Sequence, residues 1–200
     1  VRLPWRDANF RLFLTTRVML MLAQMATPFF AVYAARDLNA GPEMVSIYLA
    51  ASTAAALFSN LAWSRISDQR GNRAVLRLAA ALGLAMALLA WLSEPLERGL
   101  SLTAIAPWLF TLVFAALGAY QSGIGVGGMS LLLELAPPAD RALYVGLANT
   151  TLGIALLSTS IGGVLADWLG MRGLFVLAAI CYAAGLWSAT RLREPRRIKT

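Results

Sequence analysis

The 200-residue chain has no histidine, a single cysteine and little charge: 14% of its residues are Asp, Glu, Lys or Arg, against about 25% in typical globular domains. Lack of histidine removes imidazole general acid–base catalysis, imidazole metal ligation and histidine proton relays. The lone thiol, Cys181, sits in an apolar stretch, which excludes a disulfide framework or a cysteine metal site; it reads as a small packing residue. Acidic residues number ten, and none lies midway along an apolar stretch, Glu134 and Asp167 being near the ends of theirs. An aspartyl mechanism thus has no carboxylates and a serine mechanism no histidine base. No enzymatic activity, cofactor or metal is expected.

Apolar residues are what the chain has most of, at 59%. A helix needs roughly 20 of them to cross a hydrocarbon core about 30 Å thick. Six stretches qualify: Arg11 to Ala35, Met44 to Trp63, Ala74 to Leu92, Leu102 to Leu135, Ala142 to Ala166 and Gly173 to Thr190. Joints rich in proline, glycine and aspartate separate them, and none could hold a second domain. The expected fold is an all-α membrane protein, one six-helix transmembrane bundle spanning residues 1–200. No cleavable signal is read, and the start at Val1 suggests a piece of a longer polypeptide.

The net charge of +7 raises the question of a nucleic-acid partner, and its placement answers it. Arg2, Arg6 and Arg11 precede the first span, and Arg65, Arg70, Arg73 and Arg77 lie between the second and third. Arg141 precedes the fifth, and Arg191, Arg193, Arg196, Arg197 and Lys199 close the chain. Arg36, Arg98 and Arg172 fall on the other side. Basic residues at span ends are topology signals, so both termini are expected in the cytoplasm and no nucleic acid is expected.

Spans three and six are almost purely Ala, Leu, Val, Met and aromatic, whereas one, two, four and five carry interior amides or hydroxyls. Polar groups facing lipid are unfavourable; the first pair is therefore expected outside and the other four around protein or water. The order polar, polar, apolar repeats after three spans, a three-plus-three arrangement found in secondary transporters. On helical spacing, Arg17, Gln24 and Pro28 share a face of span one, and Ser46, Thr53 and Asn60 one of span two. Gly118, Gln121, Gly125 and Gly128 do so in span four, and Gly146, Asn149, Gly153 and Ser160 in span five.

Gln24, Gln121 and Asn149 are the candidate contacts for a small solute, with Thr53 and Asn60 behind them, because amides both donate and accept hydrogen bonds. The same amides could equally serve as interhelical bonds. Arg17, about 9 Å deeper than Arg11 at 1.5 Å per residue, either reaches back to the interface or faces a cavity, attracting an anionic solute or a carboxylate. Gly123-Ile-Gly125-Val-Gly127-Gly128 matches the Gly-x-Gly-x-x-Gly pattern of dinucleotide sites, but no strand precedes it. Close helix packing explains such glycines better, and Gly118, Gly125, Gly128, Gly146 and Gly153 are assigned to it.

The joint Trp63-Ser-Arg-Ile-Ser-Asp68-Gln-Arg70-Gly71-Asn-Arg73 is the most specific motif. Gly71 suits a reversal with positive φ, Asp68 could cap the next helix, and the arginines hold the joint at the surface. It resembles the loop signature of the major facilitator superfamily, a glycine, three residues, then Asp-Arg-x-Gly-Arg-Arg or Lys. Asp68, Gly71 and Arg73 match; Ser64, Gln69 and Asn72 depart. Glu134-Leu-Ala-Pro137-Pro138-Ala-Asp140-Arg141 and the terminal Arg193-Glu194-Pro195-Arg196-Arg197 also look like family features.

The resemblance implies half of a twelve-span transporter of small solutes in a prokaryotic inner membrane, working by alternating access, with Asp68, Gly71 and Arg73 in a cytoplasmic gating loop. Amino-terminal halves usually carry an arginine in span four and Gly-Pro in span five, both missing here. The expectation is the carboxy-terminal half, partnered by a missing amino-terminal half, the lipid bilayer and a small-molecule substrate. The alternative is a self-contained six-span protein, acting as a homodimeric carrier or as a non-transporting sensor or assembly factor.

Overall fold

The computed structural model describes residues 4–100 and 105–195, and these are helical nearly throughout. Arg2, Leu102, Arg196, Arg197 and Lys199 lie outside the described residues. The helices are α1 (Ala8–Ala23), α2 (Thr27–Asp37), α3 (Pro42–Arg70), α4 (Asn72–Leu100), α5 (Ala106–Leu135), α6 (Arg141–Ser158) and α7 (Gly162–Arg191). Their starts carry local signals. Asp7 caps α1 by accepting from the Asn9 and Phe10 N–H groups, and α2, α3 and α5 each have proline in the first turn, where the missing N–H costs nothing.

Among the described residues, five runs are long and apolar enough to cross a bilayer: Ala8–Asp37, Pro42–Arg70, Asn72–Ser93, Ala106–Leu135 and Pro138–Arg191. Three sequence expectations need correction. The first stretch is not one continuous helix: it breaks into a 3-10 turn at Gln24–Ala26, because Pro28 has no N–H to give the Gln24 carbonyl four residues back. Thr27 N–H bonds that carbonyl instead. The arginine-rich joint is helix as far as Arg70, since Arg and Gln are good helix formers at a water interface. Likewise, the joint from Ser93 is helical to Leu100.

The last run is 54 residues long, about 80 Å as a straight helix. It holds a second 3-10 turn at Thr159–Ile161 and a kink at Gly170, with φ 71° and ψ 167°. Gly71, between α3 and α4, has nearly the same conformation, φ 86° and ψ 165°. This region of backbone space is essentially restricted to glycine. Each glycine sits in the same local sequence, Asp68-Gln-Arg-Gly71-Asn-Arg73 and Asp167-Trp-Leu-Gly170-Met-Arg172. Both helix breaks therefore pair one backbone conformation with one Asp-x-x-Gly-x-Arg pattern.

Helix α5 is central, packing along α3 and α4, while α4 and α1 both pack along α7. Glycines set how closely α5 approaches each neighbour. A Cβ at Gly118 would collide with the Ser52 carbonyl of α3, and Gly127 lies against Val75 and the Leu76 backbone of α4. Aromatic rings fill one end of the core: Phe30 and Tyr33 meet Phe175 at 5.2 Å each, and Tyr48 stacks on Phe114 at 4.5 Å.

Candidate functional site

The two 3-10 breaks meet inside the bundle. Gln24–Ala26 packs against Thr159–Ile161, and Gly162 lies so close to the Met25 carbonyl that a Cβ would come within 2.8 Å of it. Interrupted helices leave backbone polar groups without their regular partners, which a membrane tolerates where protein or a cavity surrounds them. Gln24 stands at this junction, half-buried, with Nε2 3.9 Å from the Met21 sulfur and its side chain against the Tyr120 hydroxyl. Tyr120 donates to the Leu20 carbonyl at 3.1 Å and meets Tyr182 edge-on.

Arg17, seven residues before Gln24, donates from NH1 to the Ile124 carbonyl at 3.0 Å. Its buried Nε has no hydrogen-bond partner among the described residues. The guanidinium covers Gly128, where a Cβ would come within 2.6 Å of it. Arg17 therefore bridges α1 to α5 rather than reaching back to the interface. A cation held within the bilayer costs roughly 2.5–3.5 kcal/mol on insertion scales, so this placement needs a compensating anion or dipole.

Between α3 and α5 a few polar side chains stand among exposed apolar ones. Ser122 Oγ donates to Asn60 Oδ1 at 2.6 Å, beside Gln121, which is exposed midway along α5. Thr53, two turns away on α3, and Asn149 on α6 are exposed too, and neither has a side-chain polar contact among the described residues. The expected glycine set divides. Gly118 and Gly128 are at close helix contacts, but Gly125, Gly146 and Gly153 have no atom within 4 Å of where a Cβ would stand. Among the described residues, those three are therefore not at close helix contacts. The structure brings Asn60 to Ser122 and Gln24 to Tyr120; it leaves Thr53 and Asn149 apart.

At the arginine-rich end, Gly71 and Arg73 join a different partner from the one expected. Asp68 is exposed in the last turn of α3. The group at the start of α4 is Glu194, whose Oε2 accepts the Arg73 N–H at 3.1 Å and whose carboxylate occupies the space a Gly71 side chain would need. Arg73 NH1 donates to the Leu192 carbonyl at 2.6 Å. Beneath it, fully buried Asn72 accepts from Ser67 Oγ at 2.7 Å and donates to Glu134 Oε1 at 2.8 Å. The sequence reading treated Asn72 as a departure from a motif and missed both ties. The available signal was an amide directly after a turn glycine, with Glu134 placed at a span end.

A bundle of helices long and apolar enough to cross a bilayer, two of them broken where they touch, defines a polytopic membrane protein. The family model for the Major Facilitator Superfamily matches residues 12–200, and the chain belongs to that family. It is 32% identical over 154 residues to "Multidrug resistance protein MdtG" of Dickeya zeae (strain Ech586), an alignment covering 72% of this chain and 34% of that protein. The chain thus spans about a third of the length of that relative. No solved structure matches.

Proposed function

We propose that the chain is a six-span half of a secondary transporter, the carboxy-terminal one, which exports a small solute by rocking against an amino-terminal half. The 54-residue final run, far longer than one crossing needs and kinked at Gly170, supports two crossings there and six in all. The arginine-rich end faces the cytoplasm on the positive-inside rule, giving both termini that side in a bacterial inner membrane. The name of the Dickeya relative favours drug-like solutes. The protein moves its substrate without chemical change.

Gln24, Gln121, Asn149, Thr53 and Asn60 are proposed to line the path, with Arg17 as its fixed charge and Gly125, Gly146 and Gly153 leaving room on the same side. Asp68, Gly71 and Arg73 belong to the cytoplasmic gate. The observation that carries the reading is Gln121: an amide midway along the central helix, on an open face, costs free energy against lipid but suits a solute path. Replacing Gln121 with Leu in the full native polypeptide should lower efflux of a fluorescent drug from cells about tenfold while membrane levels stay normal. Unaltered efflux at normal levels would remove Gln121 from the path.

A further inference from the structure

A pocket of about 690 Å³ opens at the arginine-rich end, lined by Gln69, Arg70, Arg73, Arg77, Arg193 and Glu194. Four guanidinium groups face one carboxylate among the described residues. That carboxylate is already engaged at the start of α4 through the Arg73 N–H, where the helix dipole favours negative charge. Arg73 is engaged with the Leu192 carbonyl. The side chains of Arg70, Arg77 and Arg193 have no such partner among the described residues, so the pocket keeps a surplus of positive charge. Its wall is fixed: Arg193 N–H donates to Asn9 Oδ1 and Asn9 Nδ2 donates to the Arg193 carbonyl, both at 2.9 Å.

Further along α4, an apolar groove of about 380 Å³ lies between that helix and α7. Leu84, Leu88 and Trp91 of α4 face Val176, Ile180 and Ala183 of α7 across it. Arg77, Leu84 and Trp91 are seven residues apart and so lie on one face of α4. From Arg77 to Leu84 is about 10 Å along the helix, less than the half-thickness of the hydrocarbon core, about 15 Å. A molecule with a phosphate at Arg77 and an alkyl chain descending along α4 would enter the groove.

We propose that this pocket and groove form a site for an anionic phospholipid, its phosphate held by Arg70, Arg77 and Arg193 and one acyl chain lying between α4 and α7. Charge complementarity selects an anionic headgroup over a zwitterionic one, and an apolar groove on the Arg77 face of α4 selects a lipid over a soluble phosphate. The site requires that the bundle crosses a bilayer and does not depend on which solute is transported.

The test is lipid retention by the full native polypeptide, purified in detergent and examined by native mass spectrometry with phosphatidylglycerol and phosphatidylethanolamine of matched chains. The wild type should retain phosphatidylglycerol at least about tenfold better. Because each basic residue near an anionic headgroup adds to its attraction, Arg70→Gln/Arg77→Gln/Arg193→Gln should abolish that preference, whereas the triple Lys variant should keep most of it. Equal retention of the two lipids by the wild type, or an unchanged preference in the Gln variant, overturns the site. Displacement of phosphatidylglycerol by millimolar glycerol phosphate would make it a soluble-anion pocket and overturn the lipid assignment. Should the Gln variant fail to fold, Ala183→Trp, which fills the groove, should weaken phosphatidylglycerol retention, and undiminished retention would overturn the acyl-chain placement.

Discussion

Glycines of one composition class do opposite things in this chain, and residue-level energetics separate them. Gly71 combines a backbone conformation closed to other residues with a Glu194 carboxylate in the space of any side chain. Gly125 is helical and meets nothing. Gly71→Ala should therefore lose about 1–3 kcal/mol of stability, whereas Gly125→Ala should be neutral or gain up to about 1 kcal/mol from helix propensity. Thermal unfolding of the purified full polypeptide compares the two, and equal midpoints would contradict the assignment. The need for a positive φ at Gly71 was legible from its place after an arginine-rich helix end. Which glycines touch a neighbour was not, because residues three and four apart on α5 point towards α3, open space and α1 in turn.

At the scale of elements, the informative feature is the pair of touching breaks, Gln24–Ala26 and Thr159–Ile161. A single cause, Pro28, accounts for the first. Pro28→Ala should restore a continuous helix across residues 24–28, adding one backbone hydrogen bond while removing a bend. The expected result is normal insertion with efflux reduced severalfold; full efflux would mean that the break is incidental. That the chain is a bundle of membrane-length helices was readable because 20-residue apolar runs admit few alternatives in a bilayer. Span ends were misplaced since apolar content marks the lipid boundary and helices such as α3 continue past it to Arg70.

For the whole molecule, large apolar side chains stand uncovered on α3 and α6: Leu49, Leu57, Phe58, Leu61, Ile154 and Leu157 are each at least 63% exposed. Polar neighbours Thr53, Asn60 and Asn149 share those helices, which suits a surface shared between a partner half and a solute path. A carboxy-terminally tagged native polypeptide should accordingly run near twice 21.4 kDa, the mass of this chain; a product of 21.4 kDa would require the bundle to pair with itself. Composition and apolar run length by themselves determined the membrane class and the alternation of polar and apolar spans, since burial in lipid penalises every misplaced charge. The loop motif added the family. Only the tertiary structure decided that Glu194 rather than Asp68 meets the start of α4, that Asn72 joins Ser67 to Glu134, and that Arg17 lies over Gly128. Each of these joins residues 50 or more positions apart or depends on which way a side chain turns, and local periodicity carries no information about either.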